Sequence, residues 1–586
     1  MPSDRIAAAT GAPFPAWIRL ALGAAALMAS VPFLLPVHRF PIQSFYQEWL
    51  AFALGSAAFV AFCVGAHQRR IEAPRVVVLP LGLCLLVAIQ VAAGELPYWQ
   101  QGVLGGLYLL WAAAIAALGY GLRRCLGWAA FATLLSRVLV AGALATGLLA
   151  AAQLAGWGGE AWLMPLATTR VYGNLGQPNH FADYLSLGLM SVAYLVAAGR
   201  LARVPAAVIA LFFLSILNFS ASRAVWIYLI AALALSLFLH IRARDAQSRT
   251  LLVWMAAAVV VMILMQLIVF IGLPDRVGIS ETVASRLFQE NTGADTRLRH
   301  GEATWLMLQG APLLGVGFEA YGWHHFLLSA QLPPRHDLGV ADHAHNIVLQ
   351  VAAEFGLLGL AVGFAAGWLW LSAQRAASLS LERWWVYALL ATMLAHSLLE
   401  YPLWYAYFLG TFALLLGASD ERSWRFRTLL LERIALAGAS VLAVWTLGVV
   451  VFDYRRLEGL ARPGPATAGQ VEQFRDTALA LHRTSLFAHL VEFGLARTIR
   501  LEPEGLADNI ALNGRAMRYL PTADVIFRQS ALLALSGKLD EAFRIWDLGA
   551  AAYPAEAVVV ARRLEDIARE HQPALNALVE YAASRR

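Results

Sequence analysis

The sequence predicts an all-α, polytopic integral membrane protein with about thirteen transmembrane helices, a large outer loop and a helical C-terminal domain. Three observations predict this fold. Hydrophobic residues make up 60% of the 586 residues and charged residues only 14%, which is far from the composition of soluble globular proteins. Apolar runs of roughly 17–25 residues, the length that crosses a bilayer, recur along most of the chain. Arginines concentrate in alternate connections between these runs.

The predicted spans occupy most of the chain up to residue 452. Their approximate ranges are 15–36, 47–66, 76–94, 101–121, 128–156, 180–198, 204–219, 224–241, 251–273, 346–372, 384–400, 402–419 and 434–452. If the N-terminus is cytoplasmic, the short outer connections hold only Arg39, Arg170 and Arg223. This is the positive-inside pattern, and an odd number of spans leaves the C-terminus outside. We interpret the first span as a retained anchor, because it lacks a convincing small-residue cleavage site.

Two regions remain on the outer face. Residues 274–345 form a loop with charged residues, turn signals and six histidines. Residues 453–586 form a tail in which charged and apolar residues alternate at helical spacing. We therefore divide the chain into a transmembrane domain, 1–452, which includes the loop, and a helical domain, 453–586.

One stretch of the tail matches the second half of a tetratricopeptide-like helical hairpin, in which small residues let two helices pack closely. The matching residues are Gly537, Ala542, Trp546, Gly549 and Pro554. A single hairpin cannot bury its own face, so it must pack on other helices of the tail. The domain is either a stabilising helical cap or a docking surface for a protein substrate, and the pattern leaves both open.

The charge and the cysteines exclude several classes of protein. The net charge of +6 comes from arginines dispersed among hydrophobic segments, which membrane topology explains better than nucleic-acid binding does. Cys63, Cys84 and Cys125 lie in or beside apolar segments, so we expect neither a disulfide framework nor a zinc site built on cysteine. No nucleic-acid partner is expected.

His345 is the strongest candidate for chemistry. It is followed by Asn346, by nine mostly apolar residues, and then by Gly356 and Gly359, so its imidazole lies at the mouth of a membrane-spanning helix. An imidazole has an ordinary pKa of about 6.5. It can take a proton from a hydroxyl at neutral pH, provided that an acceptor and an activated donor are held beside it.

The spacing of the histidines also raises a metal site as an alternative. The residues that would form it are Asp342, His343, His345, His336, His324 and His325. The HxH spacing is a weak signal, and no cysteine or acidic ligand pattern completes it. We therefore expect no metal ion.

Three arginines near outer helix ends raise a functional question, because charge at membrane depth costs roughly 2.5–3.5 kcal/mol at a span centre. Arg223 lies on the outer side, where topology gives no reason for it, although snorkelling to the interface or capping a helix is the alternative. Arg297 and Arg299 begin a helix predicted in the outer loop, and their alternative is a solvated charged face.

Two further polar segments border outer turns. The first, residues 168–184, gathers polar side chains around glycines and a proline: Arg170, Asn174, Gln177 and Asn179. Amides in such a place bind sugar hydroxyls or a phosphate, yet turn formation and helix capping explain them nearly as well. The second, residues 396–407, places Glu400 at a tight turn bordered by aromatic residues that form an interface belt.

Together these elements resemble the bacterial O-antigen ligase superfamily. The pattern HN, nine residues, G, two residues, G at 345–359 is similar to its signature. Ser222–Arg223 and the arginine-rich segment before PLLGVG at 312–317 resemble two other recurrent elements. GNLGQPNHFADYL at 173–185, LLEYPLWYAYFL at 398–409 and the helical tail narrow the resemblance to pilin-type protein O-oligosaccharyltransferases.

One departure leaves a choice open. The family commonly has an aromatic residue four positions after the arginine that precedes PLLG. By that spacing Arg297 aligns, but position 301 is glycine and Trp305 comes a turn later. Arg299 therefore stays an alternative to Arg297.

The resemblance implies a metal-independent glycosyltransferase of the bacterial inner membrane with no cofactor, whose outer loop and tail are periplasmic. It would move an oligosaccharide from an undecaprenyl-pyrophosphate carrier to serine or threonine of an exported acceptor such as pilin. The implied catalytic residues are His345, as proton acceptor, and Arg223 and Arg297, as stabilisers of the leaving pyrophosphate. The implied binding residues for donor pyrophosphate or glycan are Arg299, Arg170, Asn174, Gln177, Asn179, Asn346 and Glu400.

Other functions remain open at this stage. Ligation of O-antigen to lipid A core and polymerisation of the repeat unit share the same chemistry. A transporter of lipid-linked sugars is the alternative of another class, but transporters usually bind near the bilayer midplane and often show repeated halves. The sequence has neither an evident internal repeat nor a cluster of charges at mid-span. A scaffold with an inert anchor would leave the many spans unexplained.

Overall fold

The fold falls into two compact units. The computed structural model describes residues 14–65, 72–272, 292–332, 339–375, 377–425, 429–458, 468–482, 484–570 and 573–585. The first unit comprises Met1–Leu81, Leu110–Asn291 and Phe364–Leu447, and the second comprises Gly82–Leu109, Thr292–Gly363 and Gly448–Arg586. The second unit thus contains the tail together with parts of the predicted outer loop and spans. The predicted division at residue 452 separates a transmembrane domain from the tail, and it stays a prediction.

Helices dominate both units. Up to residue 458 they are α1 (Ala16–Met28), α2 (Phe45–Gly65), α3 (Val78–Ala92), α4 (Trp99–Leu126), α5 (Trp128–Leu154), α6 (Pro178–Ala197), α7 (Arg203–Phe219), α8 (Ala224–Ala243), α9 (Ala246–Gly272), α10 (Thr292–Gly310), α11 (Tyr321–Leu327), α12 (Ile347–Gln374), α13 (Leu381–Ser397), α14 (Ala406–Ser419) and α15 (Leu429–Glu458). The tail adds α16 (Ala468–Leu481), α17 (Ala488–Arg497), α18 (Leu506–Tyr519), α19 (Ala523–Leu535), α20 (Leu539–Ala552), α21 (Pro554–Glu570) and α22 (Asn576–Ser584). One short antiparallel pair, β1 (Glu72–Pro74) with β2 (Ser423–Arg425), lies in the first unit.

The helices support a multi-pass membrane protein. A helix lies at each of the thirteen predicted spans, and ten helices of the described part are long and apolar enough to cross a membrane. The other three, α7, α13 and α14, have 17, 17 and 14 residues. The exact number of spans therefore stays a prediction.

The predicted outer loop is partly helical. Arg297 and Arg299 lie inside α10. This helix begins at Thr292, several residues before the two arginines at which the sequence predicted its start. The loop segments 274–291 and 333–338 lie outside the described residues. The loop therefore contributes ordered helices, α10 and α11, to the second unit.

Helix α6 forms the centre of the first unit. Nearly all of its residues are buried, and it packs against α5, α7, α8, α9 and α13. Close packing is possible because a Cβ at Gly188 would lie 2.4 Å from the Cβ of Ala143. The helix begins at Pro178, whose fixed φ suits the first helical position. Gln177 caps it, because its side-chain oxygen accepts a hydrogen bond from the His180 N–H.

A break in α12 organises the second unit. Gly356 has φ 60° and ψ −155°, a conformation that is essentially restricted to glycine. The segment PLLGVG, residues 312–317, lies against this break. The N–H of Val316 donates to the carbonyl of Ala353 at 2.8 Å, and the N–H of Leu357 donates to the carbonyl of Pro312 at 2.8 Å.

Two glycines make this backbone contact possible. A Cβ at Gly315, where φ is +74°, would lie 2.4 Å from the carbonyl carbon of Glu354. A Cβ at Gly356 would lie 2.5 Å from the carbonyl oxygen of Leu313. The glycines of the two sequence motifs therefore serve one contact between their backbones.

A buried amide fastens the same contact. The Nε2 of Gln90 donates to the carbonyls of Leu314 and Glu354, each at 2.8 Å, and its Oε1 accepts from the N–H of Phe318 at 3.0 Å. Gln90 is fully buried. Its bonds link a carbonyl of PLLGVG to a carbonyl that precedes the break in α12, so one side chain holds both segments.

The tail helices pack through the predicted small residues. Gly537, with φ +81°, lies in the turn between α19 and α20, and a Cβ at Gly549 would lie 2.9 Å from side-chain atoms of Ile526 and Phe527. Ala542 and Trp546 are buried. These contacts make a close helical hairpin, whereas its assignment to the tetratricopeptide class stays a prediction.

The tail core continues into other parts of the second unit. Phe326 of α11 belongs to the same hydrophobic cluster as the tail helices. The hydroxyl of Tyr98 donates to the Glu492 carboxylate at 2.9 Å, and the same carboxylate accepts from the Arg515 guanidinium at 2.9 and 3.1 Å. The tail is therefore fixed to the segments before α4 and around α11.

We expect Gly356→Ala to destabilise the protein. The break at Gly356 would cost another residue about 1–3 kcal/mol in backbone strain, and the new Cβ would also collide with the Leu313 carbonyl. Thermal unfolding of the full chain in detergent measures the effect. Gly363→Ala on the same helix is the matched control, because its Cβ would meet nothing within 4 Å. Equal melting temperatures for the two variants would contradict the role given to this contact.

We expect His489 to destabilise the tail in acid. Burial lowers the pKa of His489 to about 3, against about 6.5 in an unfolded chain. Its contribution to stability is therefore present above pH 6.5 and is lost as the pH falls toward 3, by about 1.4 kcal/mol per pH unit. The melting temperature of His489→Phe should consequently fall less between pH 7 and pH 5 than that of the wild type. Parallel curves would show that His489 does not titrate in this way.

Candidate active site

His345 lies in a strained turn at the start of α12. Its φ of 51° is rare for a residue other than glycine. The side-chain oxygen of Asn346 accepts from the N–H groups of Val348 and Leu349 at 2.9 and 3.2 Å, which is how an N-cap residue holds a helix start. The oxygen of Asn346, predicted as a donor-binding residue, thus has a capping role.

The imidazole of His345 stacks on a second histidine that the sequence analysis did not single out. The rings of His300 and His345 have centroids 5.7 Å apart and an interplanar angle of 28°. The Nδ1 of His300 lies 3.1 Å from the hydroxyl of Tyr321. Burial, together with the nearby His345 and Arg299, lowers the pKa of His300 to about 4. His300 is therefore neutral at physiological pH.

The two arginines of α10 occupy different environments. Arg299 is 6% exposed and interacts electrostatically with His300, whereas Arg297 is exposed. Residues two apart on a helix point to nearly opposite sides. Of the two predicted arginines, Arg299 is the one beside the histidine pair. Trp305, 60% exposed, does not share this buried environment.

Two carboxyl groups of the second unit accept hydrogen bonds from glutamine amides, and one of them, Glu354, is buried. The Nε2 of Gln101 donates to Glu319 at 2.8 Å, and the Nε2 of Gln350 donates to Glu354 at 3.0 Å. Neither carboxyl group was predicted, although a lone glutamate inside an apolar run is the costly kind of charge that invites explanation.

A chain of polar side chains in the first unit joins three predicted residues. The Nε of Arg170 donates to the carbonyl of Ser220 at 3.0 Å, and its Nη2 donates to the side-chain oxygen of Asn179 at 3.0 Å. The Nδ2 of Asn179 donates to Glu400 at 3.1 Å. All three predicted side chains are half-buried. The structure therefore brings Arg170, Asn179 and Glu400 together.

Asn174 holds the loop before α6. Its amide group donates to the carbonyls of Leu34 and Trp162, each at 2.9 Å, and its oxygen accepts from the N–H of Met164 at 3.1 Å. The residue is 1% exposed. Turn formation for Asn174 and helix capping for Gln177, the alternatives to ligand binding, therefore account for these contacts.

Arg223 comes immediately before α8 and is half-buried. It follows Ala221, which has φ 50°, and the buried Ser222. That Arg223 acts at the same site as His345 stays a prediction.

A second buried pair in the first unit was also missed. The Nδ1 of His396 lies 2.7 Å from the Asp183 carboxylate, and both side chains are fully buried. His180 packs against His396, with ring centroids 5.4 Å apart. The signal was available, since Asp183 lies in an apolar predicted span and a buried carboxylate needs a partner.

The described residues include no group of three or more histidine, cysteine, aspartate or glutamate side chains arranged to hold a metal ion. His343 pairs instead with Asp342 at 3.3 Å. In His325, neither ring nitrogen has a hydrogen-bond partner within the described ranges. His336 lies outside them.

Comparisons with known proteins bear on this site. Residues 206–364 match the family described as O-Antigen ligase, 171–196 match Protein glycosylation ligase, and 384–564 match Virulence factor membrane-bound polymerase, C-terminal. The chain is also similar to a general O-oligosaccharyltransferase of Acinetobacter baylyi, with 27% identity over 410 residues that cover 67% of this chain and 68% of the relative. The first of these ranges contains both Arg223 and His345.

Proposed function

We propose that this chain, which belongs to the O-antigen ligase superfamily near the protein glycosylation ligases, transfers an oligosaccharide from undecaprenyl pyrophosphate to serine or threonine of exported proteins such as pilin. The chain is a multi-pass membrane enzyme that transfers glycan. The observation that carries the finer proposal is the cluster of His345, His300 and Arg299 in the second unit.

The proposed reaction needs a proton acceptor and a cation. The acceptor hydroxyl oxygen forms a bond to the anomeric carbon of the glycan while the bond from that carbon to the pyrophosphate oxygen breaks. The hydroxyl proton passes to His345, and the pyrophosphate leaves with the electron pair. Arg299 stabilises the developing charge, because a guanidinium offers several N–H donors in a plane that fits phosphate oxygens. This step needs no metal ion, and metal independence is part of the proposal.

The stacking of the two histidines supports the proposed role of His345 as base. The pKa of His300, lowered to about 4, keeps that ring neutral, so it does not repel a proton arriving on its neighbour. Burial of Arg299 strengthens its interaction with phosphate, since water screens the charges less there.

Other binding groups are proposed from the residues that the sequence analysis singles out. Arg223 is the proposed second guanidinium, and the chain of Arg170, Asn179 and Glu400 is the proposed glycan-binding group. Amides donate to sugar hydroxyls and accept from them, and carboxylates accept from them. The distribution of arginines favours an inner-membrane protein with a cytoplasmic N-terminus and a periplasmic site.

The acceptor is proposed to be protein. Similarity to a general O-oligosaccharyltransferase and to Protein glycosylation ligase favours it over lipid A core or a growing glycan. The match to O-Antigen ligase keeps lipid A core as the second candidate. The tail, fixed through Tyr98 and α11, is the proposed docking surface for the acceptor protein.

The proposed function predicts transfer to protein in a purified system. The full chain in nanodiscs receives an undecaprenyl-pyrophosphate glycan and either pilin or lipid A core, with a chelator present. We expect glycosylated pilin from the wild type and none from a folded His345→Ala variant. Glycan on lipid A core alone would contradict the acceptor, and loss of activity with the chelator would contradict metal independence.

The environments of the two arginines predict different sensitivities. Arg299→Lys keeps the charge but loses the planar fork, so kcat/KM should fall by about 10- to 100-fold. Arg297→Lys, on the exposed side of α10, is the matched control and should stay within about twofold, as surface changes usually do. The reverse order would support the alignment by spacing, in which Arg297 is the catalytic arginine.

A further inference from the structure

Glu354 is a buried ionisable side chain to which the proposed reaction gives no role. It is 2% exposed and lies on α12, within a helix apolar enough to span a membrane. A charge in such a place is costly and is retained when it pairs or serves a function. Its contacts point toward the turn that carries His345.

A relay of two hydrogen bonds connects Glu354 to this turn. The N–H of Ala344 donates to the Oε1 of Gln350 at 2.7 Å, and the Nε2 of Gln350 donates to the Oε1 of Glu354 at 3.0 Å. Gln350 and Glu354 are four residues apart, so they lie on the same face of the helix. Ala344, Gln350 and Glu354 are 1%, 3% and 2% exposed. Water therefore does not replace these bonds easily.

The chemistry of the groups fixes the direction of the relay. A backbone N–H must meet an oxygen, so the Oε1 of Gln350 faces Ala344 and its Nε2 faces Glu354. The Oε1 of Glu354 accepts from the Nε2 of this amide. Glu354 therefore favours the one orientation of the Gln350 amide that presents an oxygen to the turn. Leucine at 354 would leave the amide free to rotate.

Glu354 is itself held at a fixed place. Its backbone carbonyl accepts from the Nε2 of Gln90 at 2.8 Å and from the N–H of Gly317 at 3.3 Å. These bonds belong to the contact between PLLGVG and the break in α12. The two hydrogen bonds of the relay therefore connect the break in α12 to Ala344, the neighbour of the strained residue His345.

We propose that Glu354 is a positioning residue that acts through Gln350 to hold the Ala344–His345 turn in its left-handed conformation. This inference rests on the proposed function, because the orientation of His345 matters only if its imidazole takes the proton. A left-handed conformation at a residue other than glycine costs about 1–3 kcal/mol and persists only where the surroundings hold it. The relay supplies that constraint from one side of His345, and the cap Asn346 supplies it from the other.

A swap of the two side chains tests the relay. In Gln350→Glu, two carboxylates face each other, so kcat should fall by about 10- to 100-fold, the usual effect of misplacing a reacting group. In the double variant Gln350→Glu with Glu354→Gln, the new carboxylate at 350 accepts from both the Ala344 N–H and the amide at 354. We expect kcat to recover to within about threefold of the wild type, with KM little changed in all variants.

Two further variants test the role of Glu354 alone. Glu354→Leu removes the acceptor and should lower kcat as much as Gln350→Glu does. Glu354→Gln keeps an acceptor oxygen and should lose less. Glu160→Gln, an exposed site in the first unit, is the matched control for the same change of side chain and should behave as the wild type.

A readout without turnover separates this inference from the proposed function. The rate at which diethyl pyrocarbonate modifies His345, followed by mass spectrometry of its peptide, reports the accessibility of the imidazole. It should change in Gln350→Glu and Glu354→Leu and return to the wild-type rate in the double variant. If His345→Ala stays active, the proposed function fails, while the modification rates still test the relay.

Two results would overturn the inference. The first is a folded Glu354→Leu variant with wild-type kcat and wild-type modification of His345. The second is a folded double variant that is no better than Gln350→Glu in either measurement, which would mean that a carboxylate at 354 is needed for itself.

Discussion

The second unit depends on one backbone contact, between the segment 312–317 and the break in α12. A helix interrupted in a buried place leaves N–H and carbonyl groups without partners, and each such group costs as much as a lost hydrogen bond. Here the carbonyls before the break accept from 316, 317 and Gln90, while the N–H groups after it donate to 312 and 313. The break is therefore satisfied without water.

The contact also fixes the segments that carry the candidate active site. Because α12 is fixed at its break, its first turns are also fixed, and they carry Gln350, the cap Asn346 and the strained His345. The chain that leaves 312–317 leads directly to Glu319 and α11, whose Tyr321 hydroxyl lies beside His300. One contact thus holds His345, its stacked neighbour His300, and the carboxyl groups of Glu319 and Glu354 in a common frame.

Much of the fold follows from patterns of the sequence, and less of the site does. A helix lies at every predicted span because long apolar runs satisfy their backbones most simply as helices. His345 was singled out because a titratable residue at the mouth of an apolar run is rare, and Arg299 because it precedes PLLGVG. Their roles stay predictions. Asn174 and Asn346 were predicted to bind donor, and this stays a prediction. In the structure the side chain of Asn174 holds the loop before α6 and the oxygen of Asn346 caps α12.

The residues that were missed show what a single sequence conceals. His300 is one of several loop histidines, and only the fold of α10 against α12 within the second unit places its ring on His345. Asp183 and His396 are far apart in the chain, so nothing local announces their pair. Glu354 and Asp183 are recognisable in the sequence as ionisable residues inside apolar runs. Their roles depend on partners that the sequence does not identify.

The central claim is that the donor pyrophosphate binds beside Arg299 with the reacting carbon near His345. The most direct measurement is a cryo-EM map of the full chain in nanodiscs with an undecaprenyl-linked phosphonate analogue of the glycan donor. The account predicts phosphonate density within hydrogen-bonding distance of the Arg299 guanidinium and sugar density next to the His345 imidazole. Density for the analogue at a place that neither side chain touches would contradict it.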